Sequence, residues 1–173
     1  MQKVSKVCTK CKLEKPLTEF GNTKASKDGK TWRCSDCLNE YARNRANTTW
    51  GVYKALERNQ KYFHRHSSNQ EKPFIITYEE FKPWYETQRR KCGYCYLPEE
   101  KLHEVNDSHN MKVNRLTIDC KENSNGYRID NIILACNRCN FIKNDFLNYE
   151  QMFYYGQTYI KPVWEERLGY KLT

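Results

Sequence analysis

The stretch LTIDCKENSNGYRIDNIILACNRCNFIKND, residues 116–145, decides how this chain is read. Residues 115–119 predict a strand, and the apolar run 131–135 predicts a second one. Between them, residues 123–127 carry the Asn125-Gly126 pair, whose tolerance of positive φ favours a tight hairpin turn. Cys136 and Cys139 follow directly, and residues 140–146 predict a helix or helical turn after them. Strand, turn, strand, paired thiols and helix in succession predict an α+β unit in which a metal ion ties the hairpin to the helix.

The thiols carry this reading outward to the whole chain. Eight of the nine cysteines fall into Cys-x-x-Cys pairs, namely Cys8 with Cys11, Cys34 with Cys37, Cys92 with Cys95 and Cys136 with Cys139, and Cys120 is left over. Two intervening residues let a tight turn aim both sulfurs at one ion, and two pairs complete the four-sulfur tetrahedron that zinc prefers. Pairing by proximity predicts two structural Zn2+ sites. The first encloses 22 residues, the spacing of a zinc ribbon, with the turn formers Lys27, Asp28, Gly29 and Lys30 inside it. The second encloses 40 residues, room enough for an active site. A redox role for such pairs asks for a thioredoxin-like βαβ pattern, which the sequence lacks.

Leu, Ile, Val and Phe contribute only 32 of the 173 residues, and the formal net charge is +9. That pairing ordinarily marks a chain unable to bury a core, yet 13 Tyr, 7 Phe and 4 Trp speak for order. Zinc resolves the conflict, because each structural ion brings about 10 kcal/mol or more of binding free energy that becomes folding free energy. Residues 1–12 hold no signal-peptide-like apolar run, and the mean hydropathy of −0.99 leaves no room for a membrane span. The expectation is a soluble cytoplasmic protein with no membrane partner, whose paired thiols are ligands rather than disulfides.

Residues 1–72 hold 16 Lys+Arg against 7 Asp+Glu, whereas residues 73–173 hold 14 of each, so all the excess charge sits in the first part. A basic segment interleaved with Trp32, Tyr41, Trp50, Tyr53, Tyr62 and Phe63 suits a polyanion. Candidate phosphate contacts are Arg33, Arg43, Arg45, Lys54, Arg58 and Lys61, and His64 and His66 read as surface or nucleic-acid-facing groups rather than ligands. Three segments result: residues 1–47 as a zinc ribbon, 48–72 as a basic helical linker region, and 73–173 as a zinc-braced domain. Helices are predicted from Ser35 or Asp36, over 49–64, from a Thr77 and Glu80 capping box towards Cys92, and over 150–159 and 163–168.

The order Leu-Thr-Ile-Asp, Gly-Tyr-x-x-Asp-Asn, Cys-x-x-Cys-Asn-x-x-Lys resembles the ββα-metal core of HNH (His-Me finger) endonucleases. Phage and mobile-element members braced by a four-cysteine zinc are the nearest in pattern, and the N-terminal ribbon resembles one found on such phage proteins. The resemblance implies a DNA endonuclease acting in a phage-infected bacterial host, nicking or cleaving double-stranded DNA with Mg2+ or Mn2+. It places Asp119 and Asn140 at the two oxygen-ligand positions, Asn131 as an orienting residue across the hairpin, and Arg138 and Lys143 as candidate phosphate contacts. Hydrolysis of a phosphodiester needs such a hard cation to stabilise the leaving oxygen.

One position departs from the pattern. The family's general-base histidine directly follows the aspartate, and here Cys120 stands in its place. A thiol of ordinary pKa, about 8.5, is a poor base near neutrality. Glu122 is the nearest carboxylate that could substitute, and His103 and His109 lie in the insert between the cysteine pairs. Two rivals follow: an HNH-like zinc protein that binds DNA in a structural or regulatory role without cutting it, and a zinc protein that binds RNA.

Overall fold

The computed structural model describes residues 4–66, 73–105 and 115–173, without the side chains of residues 61–66. The chain forms two compact units, Met1–Ala46 and Asn47–Thr173.

In the first unit, β1 (Ser5–Val7) pairs antiparallel with β2 (Glu14–Pro16), Lys6 opposite Lys15. The first cysteine pair forms the connection: Cys8 N donates to Leu13 O at 2.9 Å and Lys12 turns the chain at φ 62. A second reversal, in which Thr23 N donates to Gly29 O at 2.8 Å with Gly29 at φ 69, sets Asn22 against Lys30 and returns the chain to Cys34. There α1 (Ser35–Ala46) begins. Ser35 and Asp36, expected as caps, lie inside this helix and tie it to the ribbon instead, through Glu19 O at 2.9 Å and Lys15 Nζ at 2.8 Å. The core consists of Cys8, Phe20, Cys34 and Cys37, three sulfurs and one ring.

The second unit contains α2 (Thr49–His66), α3 (Tyr78–Thr87), α4 (Leu102–Val105), β3 (Thr117–Cys120), β4 (Ile132–Ala135), α5 (Asn137–Lys143), α6 (Tyr149–Tyr155) and α7 (Lys161–Leu168). A π-helical turn, Gly156–Ile160, joins α6 to α7, so the two terminal helices expected as separate run on without a break. Among the described residues, no helix is long and apolar enough to cross a membrane.

The α2 segment was expected to be part of a linker region. Instead Val52, Leu56 and Gln60 are buried at four-residue spacing, the stripe of an amphipathic core helix, and the Tyr53 ring lies 5.6 Å from that of Phe81. Of the apolar residues along this helix, Leu56 is buried and Tyr53 packs against the core, while Trp50 is 44% exposed and Val52 takes an inward position. Residues 67–72, and the side chains of Lys61, His64 and His66, fall outside the described set. The capping box forms as expected: Thr77 Oγ1 accepts from Glu80 N at 3.3 Å while Glu80 Oε2 accepts from Thr77 N at 2.9 Å.

The antiparallel β3–β4 hairpin sets Asp119 opposite Ile133 and Cys120 opposite Ile132. Its connection is longer than a two-residue turn, with a 3-10 segment at Asn123–Asn125 before Gly126 at φ 63. Gly126 is required twice over, by that φ and because a Cβ there would stand 2.1 Å from Pro73 O, the acceptor of Tyr127 N at 2.7 Å. Gly126→Ala combines the left-handed penalty of about 1–2 kcal/mol with the cost of overpacking. A loss of about 2–4 kcal/mol is expected, read as a lower urea midpoint at unchanged slope.

Candidate active site

Each unit holds one cluster of four thiols. In each, Cys8 with Cys11, Cys34 and Cys37, and Cys92 with Cys95, Cys136 and Cys139, the four sulfurs all lie within 4.8 Å of one another. The Cys8 to Cys37 separation is 3.9 Å and the Cys95 to Cys136 separation 3.7 Å, far beyond a disulfide bond and close to the edge, about 3.8 Å, of a tetrahedron with zinc–sulfur bonds of about 2.3 Å. Burial works against ionisation of Cys8, but backbone N–H groups of Cys34, Cys11 and Lys10 outweigh it and bring the thiol down to about 6. Cys92 is also held well below the ordinary value, burial being overcome by hydrogen bonds from Cys136, Cys139 and Cys95. All-sulfur, buried donor sets fit structural zinc, with no position left for substrate.

Asp119 sits on β3 with 7% exposure. Its Oδ2 accepts from the Tyr94 hydroxyl at 2.8 Å and stands 3.9 Å from Lys143 Nζ. Burial, and then the charge of Asp119, push the Tyr94 phenol far up, so it keeps its proton and donates. Nothing in the sequence marked Tyr94, because only the turn between Cys92 and Cys95 aims it at β3. Asn131 laces the hairpin: its Nδ2 donates to Gly126 O at 2.7 Å and Glu122 O at 2.8 Å, and its Oδ1 accepts from Glu122 N at 3.1 Å. Asn140 Nδ2 donates to Thr117 Oγ1 at 3.1 Å. Thr117 and Asp119 share one face of β3, and Asn140 and Lys143 share one face of α5. The helix therefore lies along the strand, Asn140 beside Thr117 and Lys143 beside Asp119.

Several expected residues are placed elsewhere. Lys143 was expected at a phosphate, but it has no exposed surface, and its ammonium is held by Asn123 Oδ1 at 3.2 Å with Asp119 beyond. Cys120 is 1% exposed, and strand alternation turns it to the opposite face from Asp119, where it bonds Tyr127; burial first, then Cys120 and Asp119, raise that phenol. Glu122 Oε1 accepts from Tyr149 N at 3.2 Å, at the start of α6. His103 is exposed on α4, 3.7 Å from Glu104, and His109 lies outside the described residues.

Among the cations, Arg138 and Arg58 are exposed. Arg43 and Arg45 occupy the last turn of α1, and Arg33 lies 5.7 Å from the Tyr41 ring. Lys54 pairs with Glu57 and lies 5.4 Å from the Trp50 ring.

This architecture is similar to that of the rare-cutting HNH restriction endonuclease PacI, with a TM-score of 0.56 over 93% of this chain and 96% of that one, at 22% sequence identity. The fold is that of an HNH endonuclease. No family model and no curated protein matches the sequence. The HNH likeness is too extensive to be confined to the hairpin and α5, since 93% coverage must take in residues of both units.

Proposed function

We propose that the chain is a metal-dependent HNH endonuclease acting on DNA, with two structural zinc ions and one catalytic Mg2+ or Mn2+. The observation that carries this reading is the buried Asp119 carboxylate, fixed by Tyr94 on a hairpin that Asn131 stiffens and beside a helix that the second zinc cluster ties down. Asp119 and Asn140 offer hard oxygen donors from neighbouring elements and would hold the ion. Held by these two residues, a divalent ion would supply electrostatic stabilisation of charge developing on a phosphodiester. Asp119 also takes the Tyr94 proton in a hydrogen bond, which fixes its rotamer. Asn131 holds the turn at Glu122 and Gly126, so that β3 presents Asp119 in one register. Arg33, Arg43, Arg45, Lys54, Arg58, Lys61 and Arg138 would meet phosphates, making affinity strongly salt-dependent. DNA as substrate is supported by the likeness to a restriction enzyme, and the setting we infer is the cytoplasm of a phage-infected bacterium.

A second reading, DNA binding without cleavage, is favoured by two observations: Cys120 is buried where the base would stand, and an internal cation, Lys143, already faces Asp119. Supercoiled plasmid with Mg2+ or Mn2+ separates the two. The expected result is nicked or linear product with the parent protein and none with Asp119→Ala. Salt-dependent binding with no product from either protein assigns the second reading. Product from both overturns the metal site at Asp119.

A further inference from the structure

Residues of α5, the π-helical turn and α7 line an open cleft of about 290 Å3. Its apolar lining is Ile142, Ile160, Val163 and Trp164; Tyr159, Arg138 and Arg167 complete it, and no carboxylate lines it. We propose that this cleft binds one unstacked nucleotide of a DNA strand, the base against Tyr159 and a flanking phosphate on Arg138. The proposal rests on the nuclease reading and deepens it.

The volume lies just below the range of small-molecule sites, about 300–1,000 Å3, which suits a single base and excludes a docked helix. Charge selects an anion: Arg138 is exposed and pairs with no acid among the described residues, whereas Arg167 already donates to Val105 O at 3.2 Å and lies 5.4 Å from the Trp164 ring. Guanidinium groups pair with phosphate, and a tyrosine face stacks on a base of any sequence. Tyr159 is 57% exposed, and its ring joins those of Tyr155 at 5.3 Å and Tyr154 at 6.3 Å, both also exposed. Such a cluster of exposed rings marks a contact surface. Trp164, 3% exposed, has an Nε1 without a hydrogen-bond partner, and base edges carry acceptors.

The cleft and the Asp119 site are built on shared parts. Gln157 Nε2 in the π-helical turn donates to Tyr94 O at 2.6 Å, while the hydroxyl of the same tyrosine holds Asp119. A Cβ on Gly156 would stand 2.5 Å from Tyr94 O, so the turn lies directly on that backbone. Arg138 precedes Asn140 by two residues on α5.

The test is fluorescence anisotropy of a labelled oligothymidylate with the zinc-loaded full chain, in Ca2+ to hold cleavage back. Tyr159→Ala and, separately, Val163→Asp are expected to weaken binding about tenfold or more, and an abasic strand of the same length is expected to bind the parent as weakly as the thymidylate binds Tyr159→Ala. Unchanged affinity in both variants, or an abasic strand bound as tightly as the thymidylate, overturns the cleft. If sedimentation velocity shows that Tyr159→Ala dissociates a dimer while affinity is unchanged, the surface belongs to a second copy of the chain and the proposal falls. The plasmid assay above is scored separately, so a cleft that binds bases in a protein that cuts nothing counts against the nuclease reading alone.

Discussion

A chelator able to compete with four thiolates unfolds the first unit outright. Among the described residues of that unit, Phe20 is the one apolar side chain buried beside Cys8, Cys34 and Cys37, with Cys11 partly covered. Full burial of one phenylalanine is worth about 3 kcal/mol at most, against about 1–2 kcal/mol per residue for ordering the backbone. A four-sulfur zinc site contributes about 10–16 kcal/mol at neutral pH, enough to reverse that balance. The surface ion pairs, such as Lys6 with Asp28 at 2.6 Å, are too weak to replace it. The expected result is two zinc ions per chain by elemental analysis, collapse of the amide dispersion of residues 4–46 on metal removal, and recovery on adding Zn2+. Cys34→Ser gives the same collapse without chelator. The second unit also loses its brace, but it keeps Phe81, Leu97, Leu102, Leu116 and Met152 in a continuous core, so it loosens rather than disappears. A metal-free first unit with dispersed amides is the outcome that overturns this prediction.

The elements that could be read from the sequence are those fixed by local chemistry. Cys-x-x-Cys spacing and the Thr77 and Glu80 capping box each state their geometry within a few residues and are present in the fold, and the Asn125-Gly126 pair marks the reversal, though as part of a longer connection than a two-residue turn. What escaped depends on partners distant in sequence. Val52 is buried on α2, which packs against α3 and residues 74–76, and the spacing of the aromatics along the segment does not reveal it. Lys143 follows Cys139 with a spacing that suggests a phosphate contact, yet the same helix turn that places Asn140 beside Thr117 carries Lys143 under the hairpin, against Asn123 and Asp119. Tyr94 acquires its hydrogen bond to Asp119 across 25 positions of chain, from the turn that carries Cys92 and Cys95 into the four-cysteine cluster.

Asp119 is therefore held by two groups before any ion arrives, and substitutions at the two ends of that arrangement have different expected results. Asp119→Ala removes a ligand of the proposed divalent ion. Several kcal/mol of transition-state stabilisation come from such an ion, and at about 1.4 kcal/mol per decade the plasmid-nicking rate falls on the order of 10^3-fold. Asp119→Asn isolates the charge from the packing, because the amide oxygen still accepts from Tyr94; it is expected to fold like the parent and to nick as poorly as the alanine variant. Lys143→Met acts in the opposite sense. It leaves a carboxylate with 7% exposure without its buried cation, a break that costs about 3–5 kcal/mol in well-formed pairs. The separation of 3.9 Å and the remaining Tyr94 bond place the loss at the lower end of that range. Because the ammonium and a divalent ion neutralise the same carboxylate, removing Lys143 makes the ion the remaining counter-charge. The urea midpoint of Lys143→Met is then expected to rise more on adding Mn2+ than that of the parent, while Asp119→Asn shows no such rise. An equal response of Lys143→Met and the parent to Mn2+ would mean that Asp119 does not hold the ion.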